Sequence, residues 1–216
     1  MGTGNFNCIA RPYRWLEYAS FGPFLLRCRL AQLPAMRSAR RALILGDGDG
    51  RFLAHLLQTN PELSADAVDS SRSMLETLDQ RISNIGDSAR RRVELHHADV
   101  LTWTAKGKYD LVVSHFFLDC FFEHQLDDLL VRIAPHLEKG ARWVVSEFSI
   151  PAGGPAAHLS AVVVRLLYEF FGLITGLAVR DLPDYGRVMR DWGFYLGSEQ
   201  DFLGGLLESQ LWFLAG

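Results

Sequence analysis

The fold is decided by one short stretch of the chain, Ala42-Leu43-Ile44-Leu45-Gly46-Asp47-Gly48-Asp49-Gly50-Arg51-Phe52. Its first four residues are apolar and predict a short buried strand, and the pattern of 51–58 predicts a helix directly after the glycines. Glycines suit this position because a Cβ would block either the tight turn or the approach of a ligand to the backbone. The helix start then presents backbone N–H groups, so the stretch predicts a ligand-binding turn, with a plain turn as the alternative.

Strands and helices alternate over the following hundred residues. The other predicted strands are 65–69, 93–96, 110–114 and 141–148, with helices at 51–58, 72–82 and 126–137 between them. Because these strands are apolar throughout, they predict a parallel sheet with helices on both faces.

The end of the chain follows a different pattern. After a predicted helix at 182–192, two strand-like runs at 194–202 and 206–214 are separated by a short link that contains Gly204 and Gly205. A parallel crossover needs a dozen or more residues, so these runs must be antiparallel neighbours. The fold class predicted is α/β, with a mostly parallel sheet and one antiparallel strand near its edge.

Length and composition fit one globular domain. The chain has 216 residues, of which 49% are hydrophobic. We divide it into an N-terminal helical segment, 1–38, and a main domain, 39–216. The net charge of −3 and the absence of a cationic excess argue against a nucleic-acid partner. The sequence leaves the oligomeric state open.

Cysteine and hydrophobic patterns bear on the compartment. The three cysteines are widely spaced, which favours a cytoplasmic location and gives no sign of a disulfide framework or a metal site. The start of the chain lacks the pattern of a secretory signal. The apolar segment 161–179 carries Arg165 and Glu169, and its longest uncharged run is ten residues, too short to span a membrane. It predicts either a mostly buried helix or a lid over a substrate, and it leaves peripheral membrane contact open.

Two acids follow the next strands at the same edge of the sheet. Asp69 lies 23 residues after Gly46, the separation typical of a carboxylate that accepts ribose hydroxyls in a βαβ unit. The alternative is that Asp69 caps the next helix, a task that Ser70 or Ser71 could equally perform. Asp99 follows the third strand and could accept a hydrogen bond from an adenine amino group, while Val100 offers an N–H to the ring.

Arg51 weakens the interpretation of the turn as a site for a nicotinamide or flavin dinucleotide. That fingerprint places a small residue where this chain has Arg51. Taken in order, Gly46-x-Gly48-x-Gly50, Asp69 and Asp99 resemble the class I S-adenosylmethionine-dependent methyltransferases, from about residue 40 to the end of the chain. The resemblance implies a Rossmann-like, seven-stranded sheet that includes an antiparallel strand near its edge, and S-adenosylmethionine as the cofactor.

The sequence departs from the family pattern at one position, and it also resembles one narrower group within the family. Ile44 stands where the family usually has an acid, which leaves Asp47 or Asp49 to supply a negative charge for the cofactor's ammonium group. More narrowly, Ile9-Ala10-x-x-Tyr13, and Leu182-Pro183 leading to Gly193-Phe194, are similar to the quinone-biosynthesis methyltransferases. This match favours a small acceptor, hydrophobic or aromatic.

The acceptor side should follow the fourth strand, at Ser114-His115-Phe116-Phe117-Leu118-Asp119. If this segment were helical, His115 and Asp119 would share a face and could form a catalytic base. The alternative is that Asp119 caps a turn and His115 only lines the cofactor pocket. This segment lacks the Asn/Asp-Pro-Pro-aromatic motif of the DNA amino-methylating enzymes.

The candidate site residues form three groups. For cofactor binding they are Gly46, Asp47, Gly48, Gly50, Asp69, Ser70, Asp99, Val100, Ser114 and His115. For the substrate they are Tyr13, Tyr18, Phe116, Glu147 and Tyr168. For catalysis they are His115 and Asp119, and no metal ligand is predicted.

The expected function is methyl transfer to a small molecule. The alternatives are another use of S-adenosylmethionine on the same fold, such as aminopropyl transfer, and a non-catalytic cofactor-binding protein.

Overall fold

The computed structural model describes residues 21, 23–151, 153–175, 179 and 181–216. In this part of the chain, seven strands form one sheet in the order β3-β2-β1-β4-β5-β7-β6. The strands are β1 Arg41–Leu45, β2 Ser64–Asp69, β3 Val93–His97, β4 Tyr109–His115, β5 Leu137–Phe148, β6 Phe194–Phe202 and β7 Leu207–Leu214. β1 to β5 are parallel, and β7 is antiparallel to both β5 and β6. This confirms the predicted sheet.

Helices cover both faces of the sheet. They are α1 Phe24–Leu30, α2 Arg51–Thr59, α3 Arg72–Ser83, α4 Asp87–Arg90, α5 Glu123–Ile133, α6 Gly154–Thr175 and α7 Tyr185–Asp191. Because side chains alternate along a strand, Leu43 and Leu45 of β1 pack in the core with α5 and α7. Ala42 and Ile44 pack in the opposite core with α2 and α3. The prediction of helices on both faces is confirmed.

The boundary between α5 and β5 differs from the prediction. We expected a helix to residue 137 and a strand from 141, but α5 ends at Ile133 and a 3₁₀ turn covers Ala134–His136. Pro135 lies in this turn, and proline cannot continue an α-helix. β5 therefore begins at Leu137 and runs for 12 residues to Phe148.

α1 lies within the predicted N-terminal helical segment and packs on β7. The thiol of Cys28 donates to the backbone oxygen of Glu208 at 3.3 Å, and Gln32 Nε2 donates to that of Ser209 at 3.1 Å. The predicted substrate residues Tyr13 and Tyr18 lie outside the described residues. The division of the chain at residue 38 stays a prediction.

α6 contains most of the apolar segment 161–179. Val164 and Tyr168 are buried, whereas the side chains of Leu159, Val162 and Leu166 are 56–67% exposed. α6 is therefore neither fully buried nor fully exposed. Among the described residues, no helix is long and apolar enough to span a membrane.

Candidate functional site

The three glycines after β1 have left-handed backbone conformations, with φ of 63° at Gly46, 60° at Gly48 and 76° at Gly50. A Cβ on Gly46 would stand 2.2 Å from the ring of Phe117, and one on Gly50 would stand 2.7 Å from a leucine of α3. At Gly48 the nearest atom would be the sulfur of Met74, at 3.9 Å. Gly46 and Gly50 therefore permit close packing, while Gly48 leaves backbone accessible to a ligand.

The two acids inside this turn have different surroundings. Asp49 accepts hydrogen bonds from Arg51 Nε at 2.9 Å and from Arg81 at 3.0 Å, so its charge is balanced within the protein. Asp47 accepts from the N–H of Leu53 at 3.0 Å, near the start of α2. Burial raises the pKa of Asp47 to about 7. Of the two acids, Asp47 is therefore the one that a positively charged ligand group would stabilise.

Asp69 connects the glycine turn to the end of β2. Its carboxylate accepts a hydrogen bond from the N–H of Ser71 at 2.7 Å, and the N–H of Gly48 lies close enough to help stabilise its charge. The cap of α3 is Ser71, whose hydroxyl accepts from the N–H of Met74 at 3.4 Å. The alternative interpretation of Asp69 as a helix cap is therefore wrong. Burial raises the pKa of Asp69 to about 6.

The residues that follow β2 and β3 lie at the same edge. Ser70 is exposed, and its backbone oxygen lies 3.1 Å from His97 Nε2. Asp99 is half-buried, and its carboxylate accepts from the N–H of Leu101 at 3.0 Å, which braces the turn. Val100 packs in the core beside β2. The structure thus brings Gly48, Asp69 and Asp99 to the carboxyl ends of three neighbouring strands, where open α/β sheets bind ligands.

Ser114 and His115 point to opposite faces at the end of β4. Ser114 is fully buried, and its hydroxyl accepts from Trp143 Nε1 at 2.9 Å, so this side chain satisfies a core tryptophan. His115 packs edge-on against Phe52, with ring centroids 4.4 Å apart. Among the described residues, neither of its ring nitrogens has a hydrogen-bond partner. Burial lowers the pKa of His115 well below its usual value, so the ring is neutral.

The structure does not join His115 and Asp119 by a hydrogen bond. His115 ends a strand, and Asp119 lies in the 3₁₀ turn Leu118–Cys120, so the shared helical face that we considered is absent there. Between them, Phe116 adopts a left-handed conformation with φ of 53°. Its ring packs against Phe148, with centroids 5.2 Å apart, in the cluster that also contains part of α1.

Beyond β4 and β5 lies a cavity of about 340 Å³, named here the acidic cavity. Its lining comprises Asp119, Glu147, Phe148, Ser149, Ile150, Leu182, Pro183, Asp184, Tyr185, Gly186, Arg190, Glu208, Gln210 and Trp212. Glu147 is fully buried, and its Oε1 accepts from the N–H groups of Phe117 at 3.0 Å and Leu118 at 2.7 Å. Its Oε2 has no hydrogen-bond partner among the described residues.

The walls of the acidic cavity are built by hydrogen bonds from tyrosines. Tyr168 of α6 donates to the backbone oxygen of Asp119 at 3.0 Å, so it supports the turn and is not itself among the lining residues. Tyr185 of α7 donates to Glu208 and lies 3.2 Å from Gln210 Oε1. Burial raises the pKa of Asp119 to about 6 and the pKa of Glu147 well above its usual value.

The sequence reasoning missed Glu208, Tyr185 and Gln210. Glu208 is the Cα partner of Glu147 across the antiparallel pair β5–β7, so both carboxyl groups lie on the same face. The sequence predicted the terminal hairpin that contains Glu208, but only the register between β5 and β7 shows that Glu208 lies beside Glu147.

The sequence is similar to known methyltransferases and to an aminopropyltransferase. Residues 43–143 match a family model described as a methyltransferase domain. Trans-aconitate 2-methyltransferase of Mycobacterium marinum is 29% identical over 162 residues, which cover 75% of this chain and 51% of that protein. Polyamine aminopropyltransferase 2 of Bacillus anthracis is 26% identical over 173 residues, which cover 76% of this chain and 46% of that protein. The chain thus spans about half the length of these curated relatives.

The fold is similar as well. The structure of the mitomycin 7-O-methyltransferase MmcR matches with a TM-score of 0.71 at 17% identity, over 98% of this chain and 61% of that chain. At this level of identity, the match concerns the fold alone.

Proposed function

We propose that this chain, which belongs to the class I S-adenosylmethionine-dependent methyltransferases, transfers a methyl group from S-adenosylmethionine to a small-molecule acceptor. S-adenosylmethionine is the family's cofactor. The activity is a proposal drawn from the site, because the chain spans about half the length of its curated relatives. A cytoplasmic location and the lack of a nucleic-acid partner belong to the same proposal.

The arrangement of Asp69 around Gly48 is the observation that carries the proposal. The N–H of Ser71 donates to the carboxylate of Asp69, the N–H of Gly48 lies near it, and Ser71 caps the helix in its place. Gly48 has no side chain, so the space beside its backbone stays open; a Cβ there would meet only the sulfur of Met74, at 3.9 Å. An acid fixed beside an accessible glycine backbone fits a ribose with two hydroxyl donors.

The other cofactor contacts follow from the same edge of the sheet. Asp47 would pair with the ammonium group of the cofactor, because its partly buried carboxyl gains most from a nearby cation. Asp99 would accept from the adenine amino group, and Val100 would offer its N–H to the ring. Gly46 and Gly50 keep the turn in shape by allowing Phe117 and α3 to pack against it.

The bound cofactor supplies a sulfonium methyl group, an electrophile that needs no further activation. The protein then has to align the acceptor and exclude water. His115 is neutral and buried, which suits a wall of the cofactor pocket. Asp119 lines the acidic cavity with a pKa of about 6, so near neutral pH it could accept a proton from the acceptor.

Aminopropyl transfer is a second candidate function. Two observations favour it: the acid-lined cavity, which a polyamine would fit, and the similarity to Polyamine aminopropyltransferase 2. The similarity to trans-aconitate 2-methyltransferase favours methyl transfer instead. The third alternative is a non-catalytic protein that binds the cofactor and acts through a partner.

Calorimetry with S-adenosylhomocysteine tests the cofactor site directly. Asp69→Asn should weaken binding by about tenfold or more, because charge-assisted hydrogen bonds contribute about 1.5–3 kcal/mol. Asp128→Asn, at an exposed position on α5, is the matched control and should bind like the wild type. If Asp69→Asn binds S-adenosylhomocysteine as well as the control does, the ribose assignment is wrong.

Turnover separates the three candidate functions. The protein is incubated with S-adenosylmethionine, or with its decarboxylated form, and a panel of small amines, phenols and carboxylates. Release of S-adenosylhomocysteine supports methyl transfer, and release of methylthioadenosine from the decarboxylated form supports aminopropyl transfer. Cofactor binding with neither product across the panel would favour the non-catalytic alternative.

A further inference from the structure

Three carboxyl groups converge on the acidic cavity from different elements. Asp119 comes from the turn after β4, Glu147 from β5 and Glu208 from β7. The Glu208 carboxylate also lies close to those of Glu199 and Asp201 on β6, with their oxygens within 4.8 Å of one another. The interior and the β6 side of the cavity are therefore both rich in carboxyl groups.

Glu147 is the carboxyl group that most needs a partner. It is 0% exposed, and two backbone N–H groups occupy Oε1. Oε2 is buried and meets no donor among the described residues, and Glu147 is one of the residues that line the cavity. A buried carboxylate oxygen without a hydrogen bond is costly, and a donor brought in by a ligand would remove that cost.

The polar groups of the wall also favour a donor over an acceptor. The indole N–H of Trp212 already donates to Gln210 Oε1 at 2.9 Å, and the hydroxyl of Tyr185 already donates to Glu208. Apart from Arg190, what these walls still offer to a ligand is acceptor oxygens and aromatic rings. Arg190 is the cation in the lining, and its guanidinium lies 5.6 Å over the ring of Trp212.

We propose that the acidic cavity binds a protonated amine group of the acceptor, with Glu147 Oε2 as its principal hydrogen-bond acceptor and Asp119 and Glu208 as supporting charges. This inference rests on the proposed function, because it names the class of acceptor: a small molecule that carries a basic amine. The apolar body of such a molecule would contact Phe148 and Trp212, which line the same space. An anionic acceptor would be repelled.

Burial of the carboxyl groups agrees with this inference. The titratable groups near Glu147 are Asp119, Cys120, Glu208, Tyr168 of α6, Tyr185 of α7 and Cys28 of α1. Arg190 of α7 lines the same cavity. Without a ligand, burial and the neighbouring acids raise the pKa of Glu147, which favours its protonated form. An ammonium group would lower that pKa, so binding should release a proton, which calorimetry detects when it is repeated in buffers of different ionisation enthalpy.

Three probes of matched shape test the inference. They are 2-phenylethylamine, 2-phenylethanol and phenylacetate, which share an aromatic ring and differ in charge. Binding is measured near neutral pH with a chelator present, both with and without saturating S-adenosylhomocysteine. We expect the amine to bind about tenfold or more tightly than the alcohol, because charged hydrogen bonds are about twice as strong as neutral ones. Phenylacetate should bind most weakly.

Glu147→Gln is the decisive variant, because its amide oxygen can still accept from Phe117 and Leu118 while the charge is lost. It should remove most of the preference for the amine and leave binding of the alcohol unchanged. Glu208→Gln should weaken the preference partly, and Glu138→Gln, at an exposed position near the other end of β5, is the control. Thermal unfolding shows which variants are folded. If Glu147→Gln does not fold, the loss of amine preference is measured with Glu208→Gln instead.

The outcomes separate this inference from the proposed function. Equal binding of the three probes, or tightest binding of phenylacetate, overturns the inference even if S-adenosylhomocysteine binds. An amine preference that Glu147→Gln leaves intact also overturns it. Failure to bind S-adenosylhomocysteine, together with an amine preference in the unliganded protein, would instead refute the cofactor assignment and leave the amine site standing.

Discussion

The ring of Phe117 lies over Gly46 so closely that a Cβ at position 46 would stand 2.2 Å from its Cδ2 atom. The backbone N–H of the same Phe117 donates to Glu147 Oε1 at 3.0 Å. One residue therefore contacts the glycine turn with its ring and, with its backbone, Glu147, which lines the acidic cavity. This contact places the proposed cofactor site and the proposed acceptor site side by side.

Alanine substitutions at two glycines should separate packing from ligand binding. Gly46→Ala should destabilise the protein by about 2–5 kcal/mol, because a left-handed residue with a Cβ costs about 1–2 kcal/mol and overpacking about 1–3 kcal/mol. Gly48→Ala should incur only the backbone cost, yet it should weaken S-adenosylhomocysteine binding. Chemical denaturation and calorimetry measure the two effects. Replacing Phe117 by leucine in the Gly46→Ala background should restore part of the stability, and equal losses for both glycine variants would contradict this account.

The affinity for S-adenosylhomocysteine should depend on pH through two acids. The pKa is about 6 for Asp69 and about 7 for Asp47, and the ligand's ribose and ammonium groups favour the ionised forms. Affinity should therefore fall as the pH is lowered from about 8 to about 5, by at most about tenfold per unit for each group. Asp69→Asn should flatten the curve near its lower end and Asp47→Asn near its upper end, as measured by calorimetry.

The stability of the unliganded protein should show the opposite trend from these two groups. In both, the folded pKa lies above the ordinary aspartate value of 3.8, so the native state binds protons more tightly than the unfolded chain does. Their contribution to the free energy of unfolding is greatest at low pH and is lost as pH rises to about 7. Comparing the wild type with the Asp47→Asn/Asp69→Asn double variant isolates it, and parallel curves for the two would argue against the raised pKa values.

Ser114→Ala tests whether this serine serves the core or the cofactor. The substitution leaves the indole N–H of Trp143 unsatisfied in a fully buried place, which should cost about 1–3 kcal/mol of stability. Because the side chain points into the core, the affinity for S-adenosylhomocysteine should change little in the folded protein. A large loss of affinity with unchanged stability would restore a direct cofactor role for the Ser114 side chain.

Leu203 offers a stabilising substitution in the turn between β6 and β7. It has a φ of 53° and is 40% exposed, so its left-handed backbone is strained and its side chain gains little from burial. Leu203→Asn should raise the free energy of unfolding by roughly 0.5–1 kcal/mol, since asparagine tolerates this conformation better. Leu203→Ala keeps the backbone strain and serves as the control in denaturant titrations.

The parts of the site that the sequence predicted lie in short turns. Asp69 and Asp99 follow strands whose apolar patterns were plain, and a parallel sheet brings such strand ends to one edge whatever the details of packing. Their placement therefore needed only the order of the elements.

The acidic cavity required information that the sequence does not show directly. Glu147 and Glu208 meet because β5 and β7 pair in one particular register, and a shift by one residue would send a side chain to the opposite face. For His115 and Asp119, the sequence suggested a helical face, but the end of β4 and the left-handed Phe116 break that spacing. Local pattern alone could not decide between these outcomes.

The two proposed subsites draw on separate lengths of the chain. The turns that would hold the nucleotide lie between residues 46 and 100, whereas the described residues that line the acidic cavity lie between 119 and 212. After gene duplication, changes in the C-terminal part can alter which acceptor is recognised. The N-terminal part is meanwhile conserved, because every copy binds the same nucleotide. Descendants of such a chain can thus diverge in substrate while they keep the same binding site for the methyl donor.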